Sequence, residues 1–459
     1  MFKNNGNSLL HINSKTWIKD SNGLYDYEST QTKNLKAFIG DSICITRNGC
    51  ELNSAKNEFS AKNEEKLFNI IKSKEAIYNI ENRITNNIEP TQKNISILNN
   101  KIWYIINNDR LFSNQTSINH FHNTNKDYFI TKNDIIKLGR VKYIVSEINN
   151  HDCNESMNNL NINRGANNYI NELNAKTASP FQLIYKAKCF NDEEALKVEE
   201  EKQLCKICYS DEIDKINNPM VHLCNCKGGL NYAHFDCIKR WMKTKLLLIE
   251  NNKKTVKSYY INCFNCEICK TPYPFRFKIN NEERIFELIE VERPINANYI
   301  ILESLNQIKE NCNMKSIHII SLTNDEDILI GRGHECDVRI RDISVSRFHC
   351  KLRYNKKNNS LLIKDLKSKF GTLVLIKTPF EIKEPIQIQI GRTYVKTSLI
   401  SYEDLISFQK RLEMERTNKM MEKMQKNIQK NKNDSKYSPL ETEYKEKESE
   451  DNNMDIDNL

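Results

Sequence analysis

The sequence predicts a multidomain chain, with a small metal-bound module in the middle and a β-rich region on either side of it. Three observations carry that prediction. Eight cysteine and histidine positions between Cys205 and Cys269 follow one another with metal-ligand spacing. Strand-like runs separated by Gly, Asn and Lys turns fill the stretch from Tyr299 to Tyr402. Residues 16–148 alternate short β-rich runs, at 36–46, 102–106 and 135–145, with polar Asn-rich stretches.

At 459 residues the chain is long enough for two or three domains, each with its own core. Hydrophobic residues make up 39% and charged residues 28%, a mixture that suits globular domains joined by long polar linkers. Apolar runs such as 298–302 and 244–249 fall short of the roughly 20 residues that cross a bilayer. Residues 1–10 lack the apolar stretch of a signal peptide. The chain therefore reads as soluble and intracellular, cytoplasmic and/or nuclear, with no membrane span. Eight of the 15 cysteines lie between Cys205 and Cys269 and the others are scattered singly. In a reducing compartment such a cluster points to zinc rather than disulfides. The net charge of +9 comes from scattered lysines and a basic stretch at 410–432. That is better read as a solvated helix face than as a nucleic-acid surface.

Taken in order, residues 16–148 form the β-rich N-terminal region, in which Leu67, Ile70, Ile71 and Ile77 recur at near-helical spacing. Residues 149–199 read as a linker, Asn-rich at first and acidic and helix-prone from Asp192. The metal module occupies 200–276 and the second β-rich domain 297–402. A basic helix follows at 403–432, carrying Leu405, Phe408, Leu412, Met420 and Met424 on no strict heptad. Residues 433–459 form an acidic tail, expected to be disordered, with eight carboxylates against two lysines from Glu441 onward.

The metal-ligand spacing is C-x2-C-x15-C-x-C-x7-H-x2-C-x28-C-x2-C, using Cys205, Cys208, Cys224, Cys226, His234, Cys237, Cys266 and Cys269. Zinc takes four soft or borderline ligands in a tetrahedron, and a C-x2-C knuckle delivers two thiolates from one turn. Eight ligands make two closed structural sites with no open position for hydrolysis. Spacing alone does not say which ligands share an ion, and Cys263 could replace Cys266 in a slipped register. His222 reads as a surface residue rather than a ligand.

The segments Cys224-Asn-Cys-Lys-Gly-Gly-Leu-Asn-Tyr-Ala-His234-Phe-Asp-Cys-Ile-Lys-Arg-Trp241 and Cys266-Glu-Ile-Cys-Lys-Thr-Pro-Tyr273 resemble the RING-CH (RING-variant) family. The resemblance implies a small α+β module whose ligand pairs interleave. Cys205, Cys208, His234 and Cys237 would hold one zinc ion, and Cys224, Cys226, Cys266 and Cys269 the other. Two departures stand out: the gap before Cys266 is slightly longer than usual in the family, and no transmembrane helices follow. A PHD finger has the same ligand order, and Phe264 is the one PHD-like detail.

RING domains act by positioning: they bind a charged ubiquitin-conjugating enzyme and hold its ubiquitin in a reactive pose. The resemblance assigns that docking surface to Ile207, Trp241 and Pro272, although Ile207 and Trp241 could instead pack the small zinc core. Lys270 stands where many RING domains place a basic residue against ubiquitin, and an exposed solvated lysine is an equal reading.

Ile330-Gly331-Arg332, Ser344-Val-Ser346-Arg347-Phe-His349 and Asp365-Leu-Lys-Ser368-Lys-Phe-Gly371-Thr372 follow one another along the second β-rich domain. Together they resemble the forkhead-associated (FHA) domain, an all-β sandwich that reads phosphothreonine from loops at one end. A phosphate dianion is gripped best by arginine plus hydroxyl and backbone donors. The resemblance makes Arg332 and Ser346 the phosphate contacts, with Arg347 beside them. It makes His349 a brace for the binding loop, with Gly331 and Gly371 as structural turn residues. Phe370 stands where the family often has an Asn that contacts the peptide, and Lys369 where it often has Thr or Ser. Lys369 could add charge toward the phosphate.

Asp134-Ile-Ile-Lys-Leu-Gly139-Arg140-Val-Lys-Tyr-Ile-Val145 resembles Pro385-Ile-Gln-Ile-Gln-Ile-Gly391-Arg392-Thr-Tyr-Val-Lys396, the closing hairpin of the FHA-like stretch. The N-terminal region could therefore be a diverged FHA-like fold, with both Gly-Arg pairs serving as turn residues. Ser117-Ile-Asn-His120 echoes Ser-x-x-His by chance. The expected function is that of a ubiquitin ligase whose FHA domain recruits phosphothreonine proteins to the zinc module. A non-catalytic phosphopeptide adaptor is the alternative from another class, and a PHD-type chromatin reader a third.

Overall fold

The computed structural model describes residues 9–18, 23–24, 31–55, 65–72, 78–81, 102–106, 127–149, 184–189, 203–261, 265–279, 283–295, 297–305, 315–322, 326–377 and 380–434. The chain divides into two units, Leu10–Leu399 and Met1–Leu9 with Ile400–Leu459.

The N-terminal region supplies β1 (Leu9–Trp17), β2 (Thr32–Ile39), β3 (Ile43–Asn48), β4 (Glu51–Ala55), β5 (Glu65–Lys72), β6 (Tyr78–Glu81) and β7 (Ile102–Ile106). It continues with β8 (Tyr128–Phe129), β9 (Ile135–Leu138) and β10 (Val141–Asn149). The zinc region contributes β11 (Ile184–Cys189), β12 (Met220–His222), β13 (Ala233–His234), helix α1 (Phe235–Thr244), β14 (Leu246–Glu250), β15 (Val256–Ile261), β16 (Arg276–Ile279) and β17 (Ile285–Glu287). Then come β18 (Tyr299–Ser304), β19 (Lys315–Ser321), β20 (Asp327–Gly331), β21 (Val338–Arg339), β22 (Cys350–Asn355), β23 (Ser360–Asp365) and β24 (Thr372–Leu375). The last strands are β25 (Phe380–Glu381), β26 (Ile386–Ile390) and β27 (Thr393–Ile400), followed by helix α2 (Tyr402–Asp434).

A twelve-stranded sheet in the order β14-β15-β19-β18-β10-β9-β24-β7-β26-β27-β1-β2 runs through the main unit. Two five-stranded sheets, β21-β20-β22-β23-β8 and β25-β6-β5-β3-β4, complete a sandwich at each half of it. One core gathers Ile136, Leu138, Val145, Ile300, Leu302, Ile330, Val345, Leu352 and Ile363. The other gathers Leu10, Ile45, Phe68, Ile70, Ile80, Ile102, Ile388 and Val395. The join is the antiparallel pair β24–β7, with Thr372 opposite Ile106 and Leu375 opposite Trp103.

The strand pairing differs from what the linear order suggests. The 386–400 hairpin was expected to close the C-terminal sandwich; instead β26 pairs with β7 and its side chains enter the N-terminal core. The similar hairpin β9–β10 closes the C-terminal sandwich, pairing with β24 on one side and β18 on the other. The short strands before them cross over too: β8 pairs with β23, and β25 with β6. The two halves have exchanged their last three strands. Hairpins of such similar pattern present the same buried face, so either can fill either place.

Residues 65–72 and 78–81 are strands and not helical, while Ile77 lies outside the described residues. Ile70 pairs with Ile43 and Phe68 with Ile45, because β-branched and aromatic residues pack well on a pleated surface whatever their spacing. Part of the expected 149–199 linker is also structured, since Ile184–Ala187 pair in parallel with Arg276–Ile279. The acidic run 192–202, the tetrapeptide at 117–120 and residues 435–459 lie outside the described residues.

The zinc region is inserted between β10 and β18 and is fastened to the C-terminal sandwich. Part of the long gap before Cys266 forms the β14–β15 hairpin, and β15 pairs with β19 from Val256↔Ile320 to Ile261↔Lys315. Neighbouring strands are buried on both faces. Ile300, Leu302 and Ile320 point into the sandwich, while Tyr299, Ile301, Ile317 and Ile319 join Phe235, Ile238, Phe277 and Phe286 of the zinc region. This two-sided burial explains why Tyr-Ile-Ile-Leu at 299–302 reads as a continuous apolar run. Each aliphatic side chain so buried contributes roughly 1.5–3 kcal/mol, so β18 and β19 fasten two cores, one on each face, to the same pair of strands. Helix α2 shows Met414, Met420, Met421 and Met424 exposed. Among the described residues no helix is long and apolar enough to cross a membrane.

Candidate metal centres and phosphopeptide loops

Two knuckles of the same geometry begin and end the ligand run. The Cys205 carbonyl accepts the Tyr209 N–H and its own N–H donates to the Ser210 carbonyl; Cys266 does the same with Lys270 and Thr271. Each knuckle turns back through a left-handed residue, Tyr209 at φ 58° and Lys270 at φ 59°. Such a turn points both sulfurs of C-x2-C toward one point. Between the knuckles, Gly228 at φ 66° opens a 3-10 turn at Gly228–Leu230. This leads into β13 and α1, which carry His234 and Cys237 at one helix entrance.

The eight side chains form two groups. Cys205, Cys208, His234 and Cys237 make one, and Cys224, Cys226, Cys266 and Cys269 the other, with the ligand atoms of each within 4.8 Å of one another. This is the interleaved pairing. Cys226 and Cys266 sulfurs stand 3.6 Å apart, close to the roughly 3.8 Å that two 2.3 Å zinc–sulfur bonds in a tetrahedron require. His234 turns Nδ1 toward Cys208 Sγ at 3.2 Å, and its Nε2–H donates to the Glu212 carbonyl at 2.6 Å. That outer hydrogen bond fixes the tautomer that leaves Nδ1 free to ligate. Cys263 lies outside the described residues. His222 belongs to neither group, and its ring packs 5.7 Å from Tyr232.

The electrostatics call for a dication. Burial and the sulfurs of Cys224, Cys266 and Cys269 push the Cys226 thiol up to about 12. Burial with Cys208 and Cys205 nearby does the same for Cys237. Burial opposes ionisation of Cys205 as well, yet backbone N–H donors bring it down to about 7. Four close sulfurs cannot all be thiolates without a cation among them, and a zinc ion at each centre supplies it, displacing the retained protons. The Lys206 ammonium, 3.0 Å from Cys224 Sγ, offsets part of the excess charge of the four-thiolate site. The residues fit two zinc ions, each a closed structural site.

Around the knuckles several apolar side chains face outward. Ile207 is 40% exposed, Pro272 is exposed, and Trp241 on α1 is half-buried with its ring edge-on to Tyr273. Lys270 is exposed and its Nζ donates to the Glu267 carbonyl. Ile268 is 57% exposed in the second knuckle at the position Ile207 holds in the first. Its signal in the sequence was the repeated Cys-x-Ile-Cys.

At the loop end of the C-terminal sandwich, Arg332 follows β20 with an exposed side chain whose Nε donates to the Val345 carbonyl at 3.2 Å. Its N–H donates to the Ser346 carbonyl, which ties the two loops together. A β-carbon at Gly331 would lie 2.1 Å from the Arg347 carbonyl oxygen, so only glycine allows that approach. His349 is fully buried: Nδ1 accepts the Ser346 N–H at 3.1 Å and Nε2–H donates to the Gly371 carbonyl at 3.2 Å. Burial holds its pKa below the ordinary histidine value, in keeping with a neutral brace. Ser346 Oγ accepts the Lys369 N–H at 2.9 Å, which brings the second and third motifs together. Arg347 and Lys369 are exposed. Phe370 packs partly into the cluster of Trp17, Trp103 and Leu373 and offers no polar group to a ligand. Asp365 was not singled out in the sequence, yet its buried carboxylate accepts from Ser368 Oγ at 2.6 Å and Thr372 Oγ1 at 2.7 Å, holding the third loop.

Comparison with known proteins follows the same division. Residues 205–269 match the RING-variant domain family and residues 328–393 the FHA domain family. The FHA match runs on into β26 and β27, strands that complete the other sandwich here. E3 ubiquitin-protein ligase MARCHF7 of Pongo abelii is 30% identical over 95 residues, 21% of this chain and 11% of that protein. ERAD-associated E3 ubiquitin-protein ligase DOA10 of Saccharomyces cerevisiae is 32% identical over 85 residues, 18% of this chain and 6% of that protein. The matched stretch thus spans about a tenth or less of these relatives. A solved structure from work on phosphothreonine-dependent FHA domain interactions is 25% identical, covering 17% of this chain and 82% of that one, with a TM-score of 0.12. The chain carries a RING-variant domain and an FHA domain.

Proposed function

We propose that the chain is a RING-type E3 ubiquitin-protein ligase. Its RING-variant module receives a ubiquitin-conjugating enzyme charged with ubiquitin, and its FHA module receives phosphothreonine-containing proteins. The observation that carries this reading is the pair of closed, interleaved four-ligand centres flanked by outward-facing Ile207 and Pro272, with Trp241 alongside. The zinc ions shape the module and take no part in bond making. Ubiquitin passes from the conjugating enzyme's thioester to an amine of the target, and this chain lowers the barrier by holding the partners in place.

Ile207, Trp241 and Pro272 would form the apolar contact with the conjugating enzyme, and Lys270 would face ubiquitin. Arg332, Ser346, Arg347 and Lys369 would receive the phosphate. The packing of the zinc region on one face of β18 and β19, strands whose other face lines the sandwich, supports a fixed spacing between the two partners, which favours transfer to a bound target. Zinc-ligating thiols suit a reducing compartment, consistent with a cytoplasmic or nuclear site of action.

The test is autoubiquitination by the purified protein with a panel of conjugating enzymes. Zinc-dependent activity abolished by Ile207→Ala or Trp241→Ala is the expected result. Activity with no enzyme of the panel leaves the adaptor reading in its place. Phosphothreonine-peptide binding lost in Arg332→Ala tests the recruiting half, and equal affinity for the unphosphorylated peptide overturns it.

A further inference from the structure

The phosphate-facing loop of the C-terminal sandwich is built by both halves of the chain. Gly139 and Arg140 form the turn of the exchanged β9–β10 hairpin, and that turn sits against residues 342–345. The Arg140 N–H donates to Ser344 Oγ at 2.8 Å, and Ser344 Oγ–H donates to Asp342 Oδ1 at 2.5 Å. Asp342 Oδ1 also accepts the Ser344 N–H at 2.8 Å, and the Arg140 guanidinium lies 3.3 Å from Oδ2. A β-carbon at Gly139, where φ is +59°, would fall 2.4 Å from Ser344 Oγ. Beneath the loop, Val345 is buried in the same core as Ile136 and Leu138 of this hairpin.

The other half repeats the arrangement. Arg392, at the turn of the exchanged β26–β27 hairpin, donates to the Gly49 carbonyl in the β3–β4 turn at 2.9 Å. In each sandwich, then, the borrowed arginine reaches a loop of the host.

We propose that Arg140 is a positioning residue for the phosphopeptide site, contributed across the strand exchange, and this rests on the recruiting function above. Asp342 is needed to shape the turn, but its carboxylate lies only four residues from Ser346 and five from Arg347, on a loop meant to meet a dianion. Arg140 answers both needs. It clamps Asp342 in the orientation that receives Ser344, and its positive charge offsets a carboxylate that would otherwise repel phosphate. The loop's competence to bind therefore depends on residues some 200 positions earlier in the chain.

The experiment uses the full-length protein and two readouts: affinity for a phosphothreonine peptide, and amide hydrogen exchange across residues 340–349 without peptide. Arg140→Ala should weaken the peptide about three- to tenfold, the range of a part-buried charge-assisted contact, and speed exchange in the loop. Arg140→Lys should stay within about twofold of wild type, since the charge remains. In an Asp342→Asn background, Arg140→Ala should change affinity less than about twofold, because the carboxylate it offsets is gone. A purely structural role would give the same loss in both backgrounds and overturns the charge argument. Unchanged peptide affinity or unchanged loop exchange in Arg140→Ala overturns the proposal. If the wild type binds no phosphothreonine peptide while Arg140→Ala still speeds exchange, the recruiting function fails and the positioning of the loop stands.

Discussion

His318 Nδ1 lies 2.8 Å from Ser258 Oγ, across the strand pair that attaches the zinc region to the C-terminal sandwich. On its other side, His318 Nε2 stands 3.4 Å from the Tyr143 hydroxyl of the exchanged hairpin. One fully buried imidazole on β19 thus touches two other parts of the chain that are far from it in sequence. Burial pushes its pKa down to about 3.

That depression sets a pH dependence. Well above pH 6.5 the imidazole is neutral whether folded or unfolded, and its titration does not change stability with pH. Between about pH 6.5 and 3 the unfolded chain binds a proton that the folded chain refuses, so stability falls as pH falls, by up to a few kcal/mol. His318→Gln keeps polar atoms without titrating. Melting temperatures of zinc-loaded protein from pH 7 to 5 should fall less steeply in the variant than in wild type; parallel curves would show that His318 is not the sensor.

Metal content gives a second check. The full-length protein should carry two zinc ions per chain, and His234→Ala should lower this toward one, measured by elemental analysis after gel filtration. Because Ile301, Ile317 and Ile319 pack into the same cluster as Ile238 and Phe277, chelation should also speed hydrogen exchange in β18 and β19. Protection of those strands that ignores chelation would show the two regions to be uncoupled.

The strand exchange predicts where core substitutions act. Ile136 and Ile388 occupy matching places in the two hairpins and are both fully buried, in opposite sandwiches. Ile136→Ala should destabilise by about 2–4 kcal/mol and loosen β20, β22 and β23. Ile388→Ala should loosen β3, β5 and β6 instead. Hydrogen exchange resolved by peptide distinguishes these patterns, and the reversed pattern would mean each hairpin closes its own half.

Phe370 stands where FHA domains often carry an Asn, and here it packs partly into the cluster of Trp17, Trp103 and Leu373. Phe370→Asn should lower stability by about 1–2 kcal/mol, as a partly buried aromatic leaves its cluster. It should also tighten phosphothreonine-peptide binding severalfold in fluorescence titration. A variant that folds and binds no better would place the peptide backbone away from residue 370.

The sequence by itself determined the chemistry that depends on short spacing. C-x2-C knuckles, Gly331-Arg332 and the Ser346-x-x-His349 brace are held by contacts within a turn or between adjacent loops, so residue type and interval suffice to find them. The near-helical spacing at 64–80 misled because a short apolar segment takes its state from its neighbours, and here β3 lies beside it. The similarity of 134–145 to 385–396 was legible, but not which hairpin closes which sandwich. Both turn on Gly-Arg, and both carry an apolar face of similar shape. Only the tertiary structure decided between them, through the β24–β7 join and the seats that Ser344 and Gly49 offer to Arg140 and Arg392. The same holds for the fastening of the zinc region, since β15 finds β19 across some 55 residues. Pairing at that range is set by the summed burial of two faces, which no local interval in the sequence encodes.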